Sequence, residues 1–298
     1  CCYGLTTVNF NATNCTTMGS SSYPVFNDCT AFTTLNIGDN VTNIPSSAFK
    51  GCTGLTSVTI PNSVTSIDNN SFYGCSGLTS VDLGNGVKYL GSQAFYGCVG
   101  ITEITIPNSV TEINSPFRKC TELKTINYNA VNSITTEDAE IASGCTALTT
   151  LNIGESVMAI PNRAFYGCNR ITSLSLPASV ISVGNYSFYN CSDLASLSGG
   201  ENLSSIGNYA FWGCNKLINA NVTATQLTAT INLTSPTQYN LGLYYNDSDK
   251  MQAENGVVKF TGLKPNYTNS NYDLALIING IYCPIKDLSF TTKSFSAY

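Results

Sequence analysis

A five-residue element ending in Gly-Cys returns through this chain at a nearly fixed interval. It reads Ala-Phe-Lys-Gly-Cys at Cys52, Ser-Phe-Tyr-Gly-Cys at Cys75 and Ala-Phe-Tyr-Gly-Cys at Cys98, in steps of 23 residues. It returns at Cys120, Cys145, Cys168, Cys191 and Cys214, with one step of 22 and one of 25. A period of that size means one supersecondary unit stacked on copies of itself. About two thirds of the chain is therefore a solenoid.

Aligned on their leading apolar residue, the units begin at Leu5, Phe32, Leu55, Leu78, Ile101, Leu123, Leu148, Ile171 and Leu194, and Leu217 opens an incomplete one. Within a unit, Leu55-Thr-Ser-Val58-Thr-Ile60 alternates apolar and polar side chains, which predicts a short strand with one buried face. Pro61 ends it, having no N–H for a ladder. Val64 and Ile67 turn a second corner inward. Ala-Phe-x-Gly-Cys predicts one short helical turn, with Gly74 allowing the sharp return. Each unit offers about six apolar side chains worth ~1.5–3 kcal/mol apiece when buried. Chain entropy removes most of that, so a unit folds only against its neighbours. Parallel strands ~4.8 Å apart would make nine units a curved slab ~45 Å long.

The residues carrying this pattern resemble the BspA-like leucine-rich repeats over residues 5–222, through the Ile-Pro-x-Ser-Val and Ala-Phe-x-Gly-Cys elements. The resemblance implies an α/β solenoid with a parallel sheet on one face and short helical turns on the other. It also implies a secreted or cell-surface protein of the kind that includes adhesins for matrix proteins or other cells. The chain opens inside a repeat, since Cys2-Tyr3-Gly4-Leu5 matches Cys52-Thr53-Gly54-Leu55. That predicts a piece of a longer polypeptide, with a lipoprotein ending at Cys1 as the rival reading.

After Asn221 the period stops, and a first domain over 1–222 gives way to a second over 223–298. Short alternating runs at Leu227–Leu233, Tyr239–Tyr245, Val257–Phe260, Tyr272–Ile278, Ile281–Ile285 and Leu288–Thr292 predict an all-β sandwich. Asn255-Gly256 and Asn279-Gly280 are hairpin turn signals. Gly262-Leu263-Lys264-Pro265 with Tyr272 resembles the turn and tyrosine corner of fibronectin type III domains. Such a domain would cover an open solenoid end.

Composition excludes several functions. Charged residues are 10% of the chain and the net charge is −5, so nothing here would displace counterions from nucleic acid. No apolar run approaches the ~18 residues of a membrane span. The chain has no His, which removes the commonest general base and nucleophile partner. The ladder cysteines lack metal-site spacing, and equivalent positions ~4.8 Å apart suit a disulfide poorly; they read as small core hydrophobes. Cys1, Cys15 and Cys283 lie outside the ladder without an assigned bond. Glu137, Asp138 and Glu140 form the densest acidic run, in a unit that has lost its Pro and carries Ala142 in place of Phe. They read as a solvated turn rather than a catalytic carboxylate pair or a calcium site. No catalytic residue, cofactor or metal is therefore expected.

The outward strand positions form the candidate ligand face. They are Ser57, Thr59, Ser80, Asp82, Glu103, Thr105, Thr125, Asn127, Thr150, Asn152, Ser173 and Ser175. A nearly uncharged hydroxyl and amide array would bind a protein or a glycan on another cell or matrix through many weak hydrogen bonds. A second candidate is the aromatic row two places before the Cys: Tyr73, Tyr96, Tyr166, Tyr189 and Trp212. Exposed rings anchor partners or stack on sugars, and otherwise fold over the neighbouring coil. Sequons such as Asn11, Asn40, Asn185 and Asn232 discriminate little in a chain this rich in Asn, Ser and Thr. The expected function is non-enzymatic extracellular recognition. The alternatives are a structural or receptor-binding part of a large assembly, such as a virion or surface layer, and a glycan-binding accessory module.

Overall fold

The computed structural model describes residues 2–27, 29–131 and 139–217. It also describes the backbone of Asn219–Val222, Thr228–Ala229, Met251–Gln252, Leu274–Ile278 and Ile281–Ile285. Through residue 222 it is a parallel β-solenoid of leucine-rich-repeat type. The alternating segments supply one strand per coil, beginning with Thr7–Phe10, Thr34–Ile37, Ser57–Thr59, Ser80–Asp82 and Glu103–Ile106. Thr125–Tyr128, Thr150–Ile153, Ser173–Leu176, Ser196–Gly199 and Asn219–Val222 complete the column. Equivalent residues stand side by side, as in Glu103↔Thr125↔Thr150 and Ser175↔Ser198↔Asn221.

The second corner makes its own ladder. Asn43–Ile44, Ser66–Ile67, Tyr89–Leu90 and Glu112–Ile113 pair in parallel, as do Ala159–Ile160, Ser182–Val183 and Ser205–Ile206. The second-corner residues of the unit beginning with Leu123 lie outside the described residues.

The third column corrects the expected helical turn: among the described residues there is no helix. Its backbone pairs sideways instead. Phe49 N–H donates to the Ser71 carbonyl (2.8 Å), Gly51 N–H to Tyr73 (2.7 Å), Phe72 N–H to Ala94 (2.7 Å) and Gly74 N–H to Tyr96 (2.7 Å). The residues between them close tight turns, as with Lys50 N–H to Ser47 and Cys52 N–H to Phe49. A donor used across coils cannot also reach four residues back, so α-helix is excluded. Two left-handed residues per coil set this path, for example Asn70 (φ 58°) with Gly74 (φ 71°) and Gln93 (φ 57°) with Gly97 (φ 66°). Gly suits that region, yet Lys119 and Asn190 adopt it too, so the ladder imposes the conformation. It continues through the irregular unit, where Ser115 N–H donates to Ala139 and Ala139 N–H to Asn162.

The core is a set of columns. Phe49, Phe72, Phe95 and Phe117 stack at centroid distances of 5.4, 5.1 and 5.4 Å. Phe165, Phe188 and Phe211 stack at 5.5 and 5.2 Å. Ala142 interrupts the stack, and Tyr128 compensates. It is fully buried, stands in register with Ile106 and Ile153, and meets Phe165 edge-on at 5.9 Å. The unit has moved aromatic volume from its turn to its strand.

After Val222 the pairing changes sense. Thr228–Ala229 pairs antiparallel with Met251–Gln252, and Leu274–Ile278 with Ile281–Ile285 in the register Ile278↔Ile281. The other strand expectations in this region, and Gly262–Pro265 with Tyr272, lie outside the described residues.

The exchange of volume is testable. Tyr128→Ala should cost about 3–5 kcal/mol in urea unfolding, and Ala142→Phe alone about 1–3 kcal/mol through overpacking. Tyr128→Ile with Ala142→Phe, which restores the regular pair, should cost clearly less than the sum of the two single changes.

Candidate functional site

The strand column presents its polar positions outward. Ser57, Thr59, Ser80, Asp82, Glu103, Thr105, Thr150, Asn152, Ser173 and Ser175 are exposed, and Thr125 and Asn127 half-buried. Alternation forces this, because Val58, Ile104, Ile126, Leu151 and Leu174 take the inner places. Some outer positions are tied together. Asn127 Nδ2 donates to Glu103 Oε1 (2.9 Å) and to Thr105 Oγ1 (3.1 Å), and Asn152 Nδ2 to Asn127 Oδ1 (2.8 Å). Asn36 Nδ2 donates to Asn9 Oδ1 (2.8 Å). These amide ladders hold side chains in fixed rotamers, so a partner would lose less entropy in ordering them.

A groove of about 650 Å3 runs along the edge of this face where the strands meet the following corner. Asp82, Glu103 and Thr105 line it, and so do Asn108, Asn129 and Glu155, which the sequence reading did not single out. The regular units raise an exposed residue at that corner: Asn62, Asn85, Asn108 and Glu155. In the irregular unit the corner is two residues shorter: the Met158 N–H donates to the Val131 carbonyl as the Thr111 N–H does to that of Lys88, so Ala130 takes the buried inner place of Val110 and Val157 and no residue stands on the ridge at that coil. The visible signal was Asn132, which stands nine residues after Leu123 where other units carry Val64, Val87, Val110, Val157 and Val180.

The aromatic row stacks on itself. Tyr73 and Tyr96 lie 4.6 Å apart with planes 5° from parallel, and Tyr166 and Tyr189 lie 5.0 Å apart at 6°. Lys50 Nζ sits 4.9 Å from the Tyr73 ring centre and Lys119 Nζ 5.6 Å from that of Tyr96. Cations and neighbouring rings thus pack on the faces that a sugar would use. Trp212 and its neighbour Tyr209 are 41% and 46% exposed and meet edge-on at 5.7 Å.

Glu140 sits between two arginines of adjacent coils, with Arg118 at 3.4 Å and Arg163 at 3.7 Å. Its carboxylate is a coil-to-coil tie. Glu137 and Asp138 lie outside the described residues. Among the described residues no group of three or more His, Cys, Asp or Glu could hold a metal ion. Asn185 is a corner tie as well, its Oδ1 accepting the Asn208 N–H at 2.6 Å. Asn11 and Asn40 are exposed, and Asn232 lies outside the described residues.

The ladder cysteines are buried. Cys75, Cys98, Cys120 and Cys145 each donate their thiol to the carbonyl of Phe49, Phe72, Phe95 and Phe117 in the coil before, all at 3.1 Å. Alanine at these positions would leave those carbonyls without that donor. Cys15 is half-buried, its thiol donating to the Thr17 carbonyl at 3.3 Å. Cys1 and Cys283 lie outside the described residues. Burial pushes the Cys145 thiol up to about 12, against a smaller pull from the Cys120 backbone. Burial is also the largest cause raising Cys120, Cys168 and Cys191.

Parallel coils with one outward polar column and a column of buried thiols define a leucine-rich-repeat solenoid. The sequence matches the BspA type leucine rich repeat region in six copies, over residues 16–139 and 117–233; the chain belongs to that family. No curated protein sequence matches it. A leucine-rich repeat protein from Eubacterium ventriosum is similar at 25% identity and a TM-score of 0.51, covering 70% of this chain and 58% of that one. One from Bacteroides ovatus is 23% identical with a TM-score of 0.38, covering 74% of this chain and 79% of that one. A leucine-rich cell surface protein from Faecalibacterium prausnitzii is 21% identical with a TM-score of 0.39, with the same coverage of 74% and 79%.

Two outcomes follow from the thiols. An alkylating reagent at pH 8 should modify exposed Cys2 in the native chain and spare Cys75 through Cys191, as read by peptide mass mapping. A thiol raised in the folded state favours folding fully below its unfolded value near 8.5. That contribution is lost as pH rises towards the folded value, because the unfolded chain then holds fewer protons. Urea midpoints should fall steeply above about pH 8.5, each such thiol removing about 1.4 kcal/mol per pH unit.

Proposed function

We propose that this chain is a non-enzymatic recognition protein, displayed on a cell surface or secreted, that binds another protein across its strand face. The observation carrying this reading is the exposed, register-locked array from Ser57 and Thr59 to Ser173 and Ser175. Asp82 and Glu103 are its two carboxylates, and the part from Thr125 to Ser175 carries no charge. Interface centres are depleted in charged residues, and that part of the face is depleted in the same way. It also lacks large aromatic anchors, so affinity would come from many modest hydrogen bonds held by rigid neighbours. Membership of the BspA-type family supports a repeat scaffold for protein binding. The described residues contain no helix long and apolar enough to cross a membrane.

The test is surface plasmon resonance against a panel of immobilised extracellular-matrix proteins. At least one should bind the native chain in the micromolar range. A variant carrying Thr105→Lys, Thr125→Lys, Asn127→Lys and Thr150→Lys should bind it at least tenfold more weakly, with an unchanged circular dichroism spectrum. Binding that survives all four changes would move recognition off the strand face. A panel with no binder at all would remove this protein-binding reading.

A further inference from the structure

We propose that the notch in the corner ridge seats an extended, lysine- or arginine-bearing segment of the protein that the strand face binds. The proposal rests on the reading above and names the chemistry that the site selects.

The notch belongs to the unit beginning at Leu123, which departs from the pattern. At the corner, Asn85, Asn108 and Glu155 stand exposed in regular coils, while the irregular coil passes from Asn129 straight to Ala130 in the buried inner place of Val110 and Val157 and raises no residue there. A flat ridge becomes a ridge with a step, and the groove of about 650 Å3 lies along that step. This is within the ~300–1,000 Å3 of ordinary ligand clefts. Asn129 forms part of its lining beside Gly154. A Cβ on Gly154 would meet Asn129 Oδ1 within 2.3 Å, so the glycine lets the floor close.

The lining has one sign of charge. Asp82, Glu103 and Glu155 contribute carboxylates, and among the described residues no Lys or Arg lines the groove. The carboxylates come from three coils and do not converge as a metal-binding group. A single ion would leave most of that charge unmatched. Asp82 and Glu155 belong to coils three steps apart, roughly 14 Å at ~4.8 Å per strand, and stand three residues apart along the strand direction, so they lie roughly 17 Å from one another. An extended chain covers that distance in about five residues at ~3.4 Å each. A segment with cationic side chains four or five apart therefore matches the spacing, the long side chains taking up the difference. Thr105, Asn108 and Asn129 in the same lining supply neutral donors and acceptors for its backbone.

The experiment titrates the 15N-labelled chain with acetyl-Lys-Gly-Ser-Gly-Lys-amide at low salt and at 150 mM salt. Peptides with Glu or norleucine in place of both Lys serve as controls. The Lys peptide should give saturable shifts at the amides of Asp82, Glu103, Asn108 and Glu155, weakening at least fivefold at the higher salt as charge pairs are screened. The controls should give none. Asp82→Asn with Glu103→Gln and Glu155→Gln should weaken binding at least tenfold. Asn108→Lys, which puts the chain's own cation at the notch, should do the same while leaving the remaining spectrum in place. Shifts scattered equally over Asp68, Asp193 and other surface acids, or a triple variant that binds as tightly as the native chain, would overturn the proposal. Matrix-protein binding lost in the four-lysine strand-face variant but unaffected by the triple change would leave the strand-face reading standing and remove the notch.

Discussion

Lateral hydrogen bonding between coils is the constraint on which the rest of this structure depends. A coil of about 23 residues has too small a core to offset its own chain entropy. It persists because the strand, the second corner and the turn each pair sideways with the next coil. Pairing on three sides leaves little freedom. The turn must carry two left-handed residues, as at Asn70 and Gly74. The thiols of Cys75, Cys98 and Cys120 reach back to the Phe carbonyl of the preceding coil. A change in one coil is felt by two neighbours, so a departure from the pattern needs a compensation nearby.

The unit beginning at Leu123 shows such a compensation. It loses its Phe at 142 and regains a ring at Tyr128. The turn ladder passes through it without interruption. Glu140 is held between Arg118 and Arg163, an ion pair on each side where the hydrophobic stack is thinner. The fold has kept the coil in line and has let its corner sink. The surface consequence is the step beside Asp82, Glu103 and Glu155.

The strand column was legible from alternation alone, because Leu55 to Ile60 admits one inward set whatever its neighbours do. The buried role of the cysteines was legible too, since no metal spacing and no His accompany them. The turn was not. Ala-Phe-x-Gly-Cys contains nothing that forbids a helix; the donors of Phe49 and Gly51 are taken by carbonyls 22 residues away, which local propensity cannot register. The aromatic row was legible as a row but not as a stack, because stacking depends on the rise between coils. The groove was hidden for the same reason. A recess is a relation between the shortened corner at Ala130 and the exposed corners on either side, and only Asn132, standing where other units carry their inner Val, hinted at it.

The most direct test of this account replaces residues 123–147 with a second copy of 148–170. Side-by-side pairing predicts that the exchanged chain folds, with a urea midpoint no lower than the native one, since the Phe stack would then be continuous. With the corner ridge restored, it also predicts loss of affinity for the lysine-bearing peptide. An exchanged chain that fails to fold would contradict the claim that coils are interchangeable through their lateral bonds. One that folds and still binds the peptide as the native chain does would contradict the claim that the irregular unit builds the site.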